Sequence, residues 1–324
     1  MPDYKGIQGT AVQNFAGDPA NPINGQVWYN SSTGQFKYQD IIPTGAWATG
    51  GNLNTGRDAG AGSGIQTAAL GFGGTTDNGT SNTGVTESYN GTSWTTSPAT
   101  LGTARRLQAG AGTNTAALGF GGFTTVRVGN NESYNGTSWT ELNDLNTARS
   151  QLAGAGTNTA ALAFGGFTPP NTAINESWNG TSWTELNDLN TAREGLAGAG
   201  TNTAALAFGG SNPSVVGNTE SWNGTSWTEV NDLNTARQAL GGCGIQTAAL
   251  GFGGSTNTAF VGNTETWNGT SWTEVNDISL VTRYYLVSVG TNTAALQAGG
   301  APAFTSTNEW NAPYSATEII TTTV

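Results

Sequence analysis

Apolar residues in this chain come in short runs separated by Gly, Asn, Ser and Thr, without the length or period that a helix requires. Residues 152–156 and 159–164 are two such runs, built from Ala, Gly, Leu, Thr and Phe and joined by Thr157 and Asn158. An Asn-Gly dipeptide at 179–180 then lies between two short segments that each carry a Trp, which is a strong local signal for a tight hairpin. The pattern therefore predicts two hairpins, or four strands, in this part of the chain.

The same pattern recurs along the chain at a spacing of about 44 residues. The string Glu-Ser/Thr-Tyr/Trp-Asn-Gly-Thr-Ser-Trp begins at Glu87, Glu132, Glu176, Glu220 and Glu265. The string Ala-Ala-Leu-Gly/Ala-Phe-Gly-Gly ends at Gly74, Gly122, Gly166, Gly210 and Gly254, with an altered copy ending at Gly300. Asn-Thr-Ala-Arg ends at Arg149, Arg193 and Arg237, with looser versions at Arg57, Arg105 and Arg283. The chain therefore contains six repeated units.

Each unit tapers from small residues on its inner pair of predicted strands to aromatic residues on its outer pair. Ala, Gly and Leu suit strands that crowd toward a common axis, whereas Trp and Tyr fill wider wedges. We therefore predict an all-β fold in which residues 47–324 form a six-bladed β-propeller, preceded by a short N-terminal arm over residues 1–46. The side chains predicted to wedge between blades are Trp94, Trp139, Trp183, Trp227 and Trp272.

The order of these residues within a unit resembles the kelch family. Gly165-Gly166, Trp178, Trp183 and Arg193 follow one another as a Gly doublet, two strand aromatics and a closing Arg do in a kelch repeat, and the match recurs over about residues 47 to 311. The resemblance implies the propeller fold and is silent about activity. Galactose oxidase, an enzyme among kelch-like propellers, has His among its copper ligands, and this chain has no His, so that activity does not carry over.

Two segments compete for the fourth strand of the sixth blade. Trp47 lies ten residues before Arg57, the same spacing that separates Trp183 from Arg193. The other candidate, residues 315–319, repeats the Ser-Trp-Thr-Glu-Val pattern with Ala in place of Trp. We favour Trp47, because a blade shared between both ends of the chain locks the ring and Trp47 keeps the packing residue.

Residues 1–46 lie outside the repeat. Residues 18–22 predict a rigid Pro-containing loop, and residues 25–38 predict a hairpin across a Ser/Gly turn. This segment resembles the N-terminal segments of tail-fibre and other virion structural proteins of bacteriophages, marine cyanophages among them. The resemblance implies an attachment arm for other virion proteins; the alternative is a hairpin that packs on the propeller and binds nothing. The arm aromatics are Trp28, Tyr29, Phe36 and Tyr38.

Composition removes several classes of function. The chain has 324 residues, of which 49 are Gly and none is His, so His-based acid–base catalysis, catalytic triads and the commonest metal ligand are excluded. The net charge of −11 disfavours binding to nucleic acid. With 1 Cys, Cys243, no internal disulfide is possible, and we expect that thiol to be a small buried residue. We expect a non-enzymatic protein without metal or cofactor, membrane insertion or a signal peptide.

The repeated arginines could collect an anionic ligand near the axis. The structural alternative, which we favour, is that Arg149, Arg193, Arg237 and their equivalents tie blades together, because Glu residues recur before the third-strand aromatic and after the fourth-strand Trp. Either use places them at equivalent positions around the ring.

Binding is expected where the repeats differ. In each predicted blade the first-to-second and third-to-fourth turns share one face and are nearly constant, while the second-to-third loops emerge on the opposite face and differ in every unit. Several of these loops carry apolar side chains beyond what a solvated loop needs. The candidate binding residues are Phe123, Val126, Phe167, Ile174, Val215, Phe260 and Phe304. Such side chains suit the apolar face of a sugar or a flat protein patch.

Two functions follow from these features. The first is a phage virion structural or adhesion protein, such as a tail fibre or a head or tail decoration, made in the host cytoplasm, whose propeller contacts a host glycan, a host protein or a neighbouring subunit. The second is a cellular kelch-type lectin or interaction scaffold. A homo-oligomer is compatible with both.

Overall fold

The computed structural model describes residues 12–20, 26–41, 45–76, 80–278, 282–312 and 315–319. The chain divides into two compact units, Met1–Gly45 with Ala312–Val324, and Ala46–Asn311. The described residues contain 28 strands, no helix and seven four-stranded sheets. The sequence predicted an all-β protein with six such sheets, so the seventh sheet, which lies in the smaller unit, is a difference.

The larger unit contains six sheets of the same design, numbered 1 to 6 along the chain. Their first strands are β5 (Ala61–Ile65), β9 (Ala109–Gly112), β13 (Ala153–Gly156), β17 (Ala197–Gly200), β21 (Gly241–Ile245) and β25 (Val287–Gly290). Their second strands are β6 (Ala68–Phe72), β10 (Ala117–Phe120), β14 (Ala161–Phe164), β18 (Ala205–Phe208), β22 (Ala248–Phe252) and β26 (Ala294–Ala298). Their third strands are β7 (Val85–Tyr89), β11 (Asn131–Tyr134), β15 (Asn175–Trp178), β19 (Thr219–Trp222), β23 (Thr264–Trp267) and β27 (Thr307–Asn311). Their fourth strands are β8 (Trp94–Thr100), β12 (Trp139–Leu142), β16 (Trp183–Glu185), β20 (Trp227–Val230), β24 (Trp272–Val275) and, for sheet 6, β4 (Ala46–Thr49). Neighbouring strands within each sheet are antiparallel, so the larger unit has the repeated sheets of a β-propeller.

Local chemistry explains the outer hairpins. In sheet 3 the side-chain oxygen of Asn179 accepts hydrogen bonds from the backbone N–H groups of Thr181 and Ser182, both at 2.9 Å. Gly180 follows with φ of +93°, a conformation that Gly adopts without steric cost. The turn therefore fixes the register in which Trp178 lies opposite Trp183.

Small residues on the first strands let neighbouring sheets approach. A Cβ built on Gly154 of β13 would lie 2.7 Å from the ring of Phe120 in sheet 2, closer than real contacts allow. The first strands of consecutive sheets contact one another, and β25 of sheet 6 also contacts β5 of sheet 1. The Ala and Gly content of the first strands is therefore a packing requirement.

Aromatic side chains fill the space between sheets farther out. Trp183 of sheet 3 packs against Phe120 of sheet 2 with ring centroids 5.0 Å apart, and Trp227 packs against Phe164 of sheet 3 at the same distance. Trp272 also donates a hydrogen bond from its indole N–H to Thr219 of sheet 4, at 3.1 Å. Each of these Trp residues is therefore held by the sheet that precedes its own.

Sheet 6 draws its fourth strand from the N-terminal side of the repeat. β4 pairs with β27 so that Trp47 lies opposite Trp310, and Trp47 packs against Phe252 of sheet 5 at 5.0 Å. This is the arrangement favoured from the sequence. The competing segment, β28 (Ser315–Ile319), pairs with β3 (Gln35–Ile41) in the smaller unit. Residues 312–324 therefore group with the N-terminal unit and not with the propeller range of 47–324.

The smaller unit is one four-stranded sheet. β1 (Gln13–Phe15) runs parallel to β2 (Val27–Asn30), which forms the expected hairpin with β3, and β28 completes the sheet. The carboxylate of Asp18 joins the loop to the hairpin: it accepts hydrogen bonds from Trp28 and Asn30 and pairs with Lys37 at 2.9 Å. Nowhere in the described residues is there a helix long and apolar enough to span a membrane.

Candidate functional site

The repeated arginines lie in the interior. Arg149 is fully buried, forms an ion pair with Glu176 on β15 and donates hydrogen bonds to the carbonyls of Gly165 and Ala163 at 3.1 and 2.9 Å. Its own carbonyl accepts a 2.8 Å bond from Gly122 of the preceding sheet. The equivalent ion pairs are Arg57–Glu87, Arg105–Glu132, Arg193–Glu220 and Arg237–Glu265. Each of these arginine side chains is therefore engaged in ion pairs and hydrogen bonds inside the protein and is not available to bind a ligand.

Sheet 6 departs from this arrangement. The residue opposite Arg283 is Asn308, whose side-chain oxygen accepts hydrogen bonds from Arg283 and from Gln297. Burial lowers the pKa of Arg283 to about 10. For Arg149, burial also lowers the pKa, but the charge of Glu176 opposes the shift. The guanidinium of sheet 6 is therefore buried against neutral partners.

The predicted binding residues fall on one end of the sheets but differ in accessibility. Val126 and Phe260 are exposed, at 62% and 47%. The other five are partly buried: Phe123, Phe167, Ile174, Val215 and Phe304. We use "variable-loop face" for the end of the larger unit formed by the described residues of the second-to-third loops, 75–76, 80–84, 123–130, 167–174, 211–218, 255–263 and 301–306. On this face Val126 and Phe260 are the accessible apolar groups among the seven.

Two arginines alternate with two phenylalanines on this face. The guanidinium carbon of Arg106 lies 4.8 Å from the centre of the Phe123 ring, and that of Arg127 lies 5.8 Å from it. Arg127 also lies over Phe167, in the next loop, at 4.2 Å. Cations over ring faces at these distances attract the rings electrostatically. The four side chains form a continuous row across sheets 2 and 3, which we call the Arg-Phe row.

A second set of variable residues surrounds the inner edge of the same face. The second residue after each repeated Arg has φ between 51° and 62°, and five of the six are not Gly. Each donates a backbone hydrogen bond to the next around a ring: Leu107 to Ala59, Gln151 to Leu107, Gly195 to Gln151, Ala239 to Gly195, Tyr285 to Ala239 and Ala59 to Tyr285, at 2.7 to 3.0 Å. We call this set the axial ring. Left-handed residues other than Gly are unfavourable and concentrate where function demands them.

Polar side chains meet across the axial ring. The hydroxyl of Tyr285 donates a hydrogen bond to Gln151, three positions away in the ring, at 2.5 Å. The amide of Gln151 donates in turn to Glu194 at 2.7 Å. Burial raises the pKa of Tyr285, and it raises that of Glu194 while the charge of Arg127 partly offsets the shift. The network spans the mouth of the axis.

Aromatic rings extend from this mouth to the exposed loops. Tyr284 stacks on Phe260 with centroids 4.4 Å apart and an interplanar angle of 14°, and it contacts Tyr285 at 5.1 Å. A cavity of about 80 Å³ lies at the mouth, and one of about 140 Å³ lies deeper along the first strands. The deeper cavity is lined mainly by Gly and Ala, so polar recognition groups are concentrated at the mouth.

Sequence reasoning missed the axial-ring residues, although a signal existed. The unit after each Asn-Thr-Ala-Arg is nearly constant except at the two positions that follow Arg, which read Ser150-Gln151 in one unit and Glu194-Gly195 in the next. The second-to-third loops are longer and vary more conspicuously than these two positions. Ordinary strand chemistry gives no hint that these positions meet across an axis.

The opposite face is less uniform than the sequence suggested. Its turns are near-constant, and the turns 66–67 and 90–93 of sheet 1 lie side by side, since a Cβ on Gly91 would touch Thr67. Two exposed apolar residues nevertheless interrupt it, Ile65 at 53% and Ile245 at 56%. These residues provide a comparison for the apolar groups of the variable-loop face.

The arm aromatics separate into buried and accessible groups. Trp28 is fully buried and its indole N–H binds Asp18, so it is a packing residue of the small sheet. Tyr29 packs against Phe36 with centroids 5.0 Å apart, and Phe36 is 49% exposed. Tyr38 is partly buried. Phe36 is therefore the accessible candidate among the four for contact with a partner.

The described residues offer little support for a metal site or for a nucleophilic cysteine. No group of three or more Cys, Asp or Glu side chains is placed there to hold a metal ion. Cys243 is buried in the first strand of sheet 5, donates to the carbonyl of Thr291 at 3.4 Å, and has its pKa raised by burial. A buried thiol of raised pKa is a poor nucleophile.

Comparisons with known proteins bear on the fold. No protein-family model matches the chain, and no curated protein matches it. Among solved structures, the chain is similar to that described as "Structure of YjhT", with a TM-score of 0.68 and 13% identity, covering 82% of this chain and 99% of the other. At this identity the similarity shows the β-propeller fold alone, and one fold serves many functions.

Proposed function

We propose that the protein is a non-enzymatic adhesion or structural protein that contacts its target through the variable-loop face. The observation that carries this proposal is the convergence of the Arg-Phe row, the Phe260–Tyr284 stack and the Tyr285–Gln151–Glu194 network on one end of an otherwise repetitive unit. Aromatic, guanidinium and amide groups side by side are typical of recognition surfaces. The strained backbone of the axial ring supports a functional use of the same end.

The proposal includes a closed six-bladed, kelch-like propeller. The six similar sheets, the neighbouring strands β25 and β5 and the hydrogen bonds of the axial ring support it. It also includes a place in a phage virion, with the N-terminal arm bound to another virion protein. Support for that part comes from the sequence resemblance of the arm and from the exposure of Phe36 in the small sheet.

Cell binding by the full-length protein tests the recognition surface. Fluorescently labelled protein is applied to intact bacteria and to an array of bacterial surface polysaccharides. The double variant Val126→Ser, Phe260→Ser is expected to bind less, because it removes the exposed apolar groups of the variable-loop face. The matched control, Ile65→Ser with Ile245→Ser, removes exposed apolar groups from the opposite face. Loss in the control alone would place the contact on that opposite face and overturn the proposal.

The virion assignment has a separate test. We expect genes for capsid or tail proteins to flank the coding sequence, and Phe36→Ser to reduce incorporation of the protein into particles. Thr33→Ser, an exposed change in the adjoining turn, is the control. Flanking genes of cellular metabolism would instead favour the cellular kelch-type lectin or scaffold, and normal incorporation of Phe36→Ser would contradict the attachment role.

A further inference from the structure

We infer that the Arg-Phe row binds the carboxylate of an acidic sugar, such as a uronic acid residue of a surface polysaccharide. This inference rests on the proposed function and names the class of ligand that the variable-loop face takes. The row runs from Arg106 over Phe123 and Arg127 to Phe167.

The distribution of positive charge is the first argument. The larger unit contains eight arginines and no lysine, and the six repeat arginines are fully buried. The remaining two, Arg106 and Arg127, both lie on the ring of Phe123. Arg106 also donates a 3.2 Å hydrogen bond to the side chain of Asn82, and both arginines are partly buried. In a chain of net charge −11, the positive charge of the larger unit that is not fully buried thus lies at one place.

The geometry of Arg127 is the second argument. Its guanidinium lies over Phe167 at 4.2 Å, and in the described residues it forms no ion pair. Its Nε atom is buried without a hydrogen-bond partner. Stacking on a ring occupies the flat face of a guanidinium and leaves the N–H groups of its edge, which bind a carboxylate in a two-point fashion. The remaining N–H groups of the partly buried Arg127 are therefore the ones that a ligand carboxylate would contact.

The surroundings favour a sugar over a longer polyanion. A net charge of −11 repels a chain of many negative charges, whereas one carboxylate meets the two arginines locally. The adjoining mouth carries Gln151, Glu194 and Tyr285, whose amide, carboxylate and hydroxyl groups suit the hydroxyls of a sugar. Phe260, exposed and stacked on Tyr284, offers a flat apolar surface for a sugar ring.

Calorimetric titration of the full-length protein tests the inference. The ligands are trigalacturonic acid and, for comparison, a neutral galactose trisaccharide. Trigalacturonic acid is expected to bind more tightly than the neutral sugar, with an affinity that falls as salt is added. Arg127→Gln and Arg106→Gln are each expected to weaken binding about tenfold, since each removes one charge-assisted contact. Thr125→Ser, an exposed change in the same loop outside the row, should leave the affinity unchanged.

The outcomes separate the inference from the proposed function. Equal binding of the two trisaccharides, binding of neither, or unchanged affinity in Arg127→Gln would overturn the carboxylate site. The proposed function would still stand if the Val126, Phe260 double variant lost binding to cells. If Arg127→Gln lowers the thermal midpoint, Arg106→Gln and the salt dependence of the unaltered protein decide the question.

Discussion

Sheets 1 to 5 and sheet 6 of the larger unit have the same strand order but satisfy a buried arginine in different ways. In sheet 3, Arg149 faces the carboxylate of Glu176, whereas in sheet 6, Arg283 faces the amide of Asn308. Gln297 on β26 supports that amide, at a position where the other second strands carry Gly or Ala. Each sheet therefore needs a long hydrogen-bond-donating side chain at the position of the repeated Arg. The carboxylate opposite it is dispensable when neutral acceptors replace it.

The comparison also separates two sources of stability. Sheets 1 to 5 are each built from consecutive strands, whereas sheet 6 joins β25–β27 to β4, more than 200 residues earlier in the sequence. A link of this kind ties the N-terminal side of the repeat to its last sheet. Loss of β4 from sheet 6 would therefore remove this connection between distant parts of the sequence. A substitution in sheet 3, in contrast, affects a sheet whose four strands are consecutive in the sequence.

The largest expected effect comes from removing one carboxylate in sheet 3. Glu176→Ala leaves the guanidinium of Arg149 buried and unpaired, which should lower the free energy of unfolding by about 3–5 kcal/mol. Chemical denaturation at constant pH measures the change. Glu185→Ala, an exposed carboxylate directly opposite on β16, is the control and should leave the denaturant midpoint in place. An equal decrease in the free energy of unfolding in both variants would mean that the buried ion pair contributes no more to stability than an exposed carboxylate does.

Replacing the arginine itself sharpens the contrast between the two kinds of sheet. Arg149→Met strands a buried carboxylate and should cost about 3–5 kcal/mol. Arg283→Met leaves only neutral acceptors without their donor, the amide of Asn308 and the carbonyls of Gly299 and Ser306, and should cost less, about 1–3 kcal/mol. Parallel denaturation of the two variants gives the difference. A larger loss for Arg283→Met would contradict our account of sheet 6.

A third prediction concerns the interface where sheet 6 meets sheet 1. The hydroxyl of Tyr89 on β7 donates a 2.5 Å hydrogen bond to Glu309 on β27. Burial, aided by this bond to the carboxylate, raises the pKa of Tyr89 from 10.0 to about 12. The folded protein then holds this proton more tightly than the unfolded chain, so the stabilisation is complete below pH 10 and is lost as the pH rises through 12.

Tyr89→Phe tests this coupling. The variant should lose about 1 kcal/mol at neutral pH because one hydrogen bond is removed. Its stability should also fall less steeply between pH 10 and 12 than that of the unaltered protein, as followed by denaturation at several pH values. An unchanged slope would show that another group is responsible for the alkaline transition.

The smallest expected effects are at the axial ring, which links all six sheets. Ala239→Gly should stabilise the protein by about 1 kcal/mol, since Gly adopts the left-handed conformation without strain. Gly195→Ala, the matched reverse change at the equivalent position, should destabilise it by a similar amount. Thermal unfolding of both variants measures the pair. Shifts of the same sign would contradict the equivalence of the two positions.

Much of the fold was predictable from local pattern. The Asn-Gly turns, the small inner strands and the Trp-containing outer strands follow from the sequence of one unit, and the repeat extends the prediction to the others. The position of Trp47 ten residues before Arg57 also indicated the strand that completes sheet 6. These features depend on hairpin geometry and spacing, which nearby residues control.

The candidate site was predictable only in part. The sequence indicated the variable-loop face and Phe123, Phe167 and Phe260, but it gave no reason to join Arg127 to Phe167 or Tyr285 to Gln151. It also left the burial of Trp28, the exposure of Ile65 and the pairing of β28 with β3 open or unsuspected. Each of these depends on contacts between segments that are distant in the sequence.

The sequence by itself determined the all-β class, the six repeats, the four-strand design and the positions where the repeats differ. Those properties come from turn chemistry and side-chain size, which act within a few residues. Only the tertiary structure decided which variable residues meet, because the first strands pack around an axis and bring the residues after each repeated Arg within hydrogen-bond distance of one another. It also decided that the six repeat arginines are fully buried, whereas Arg106 and Arg127 are only partly buried.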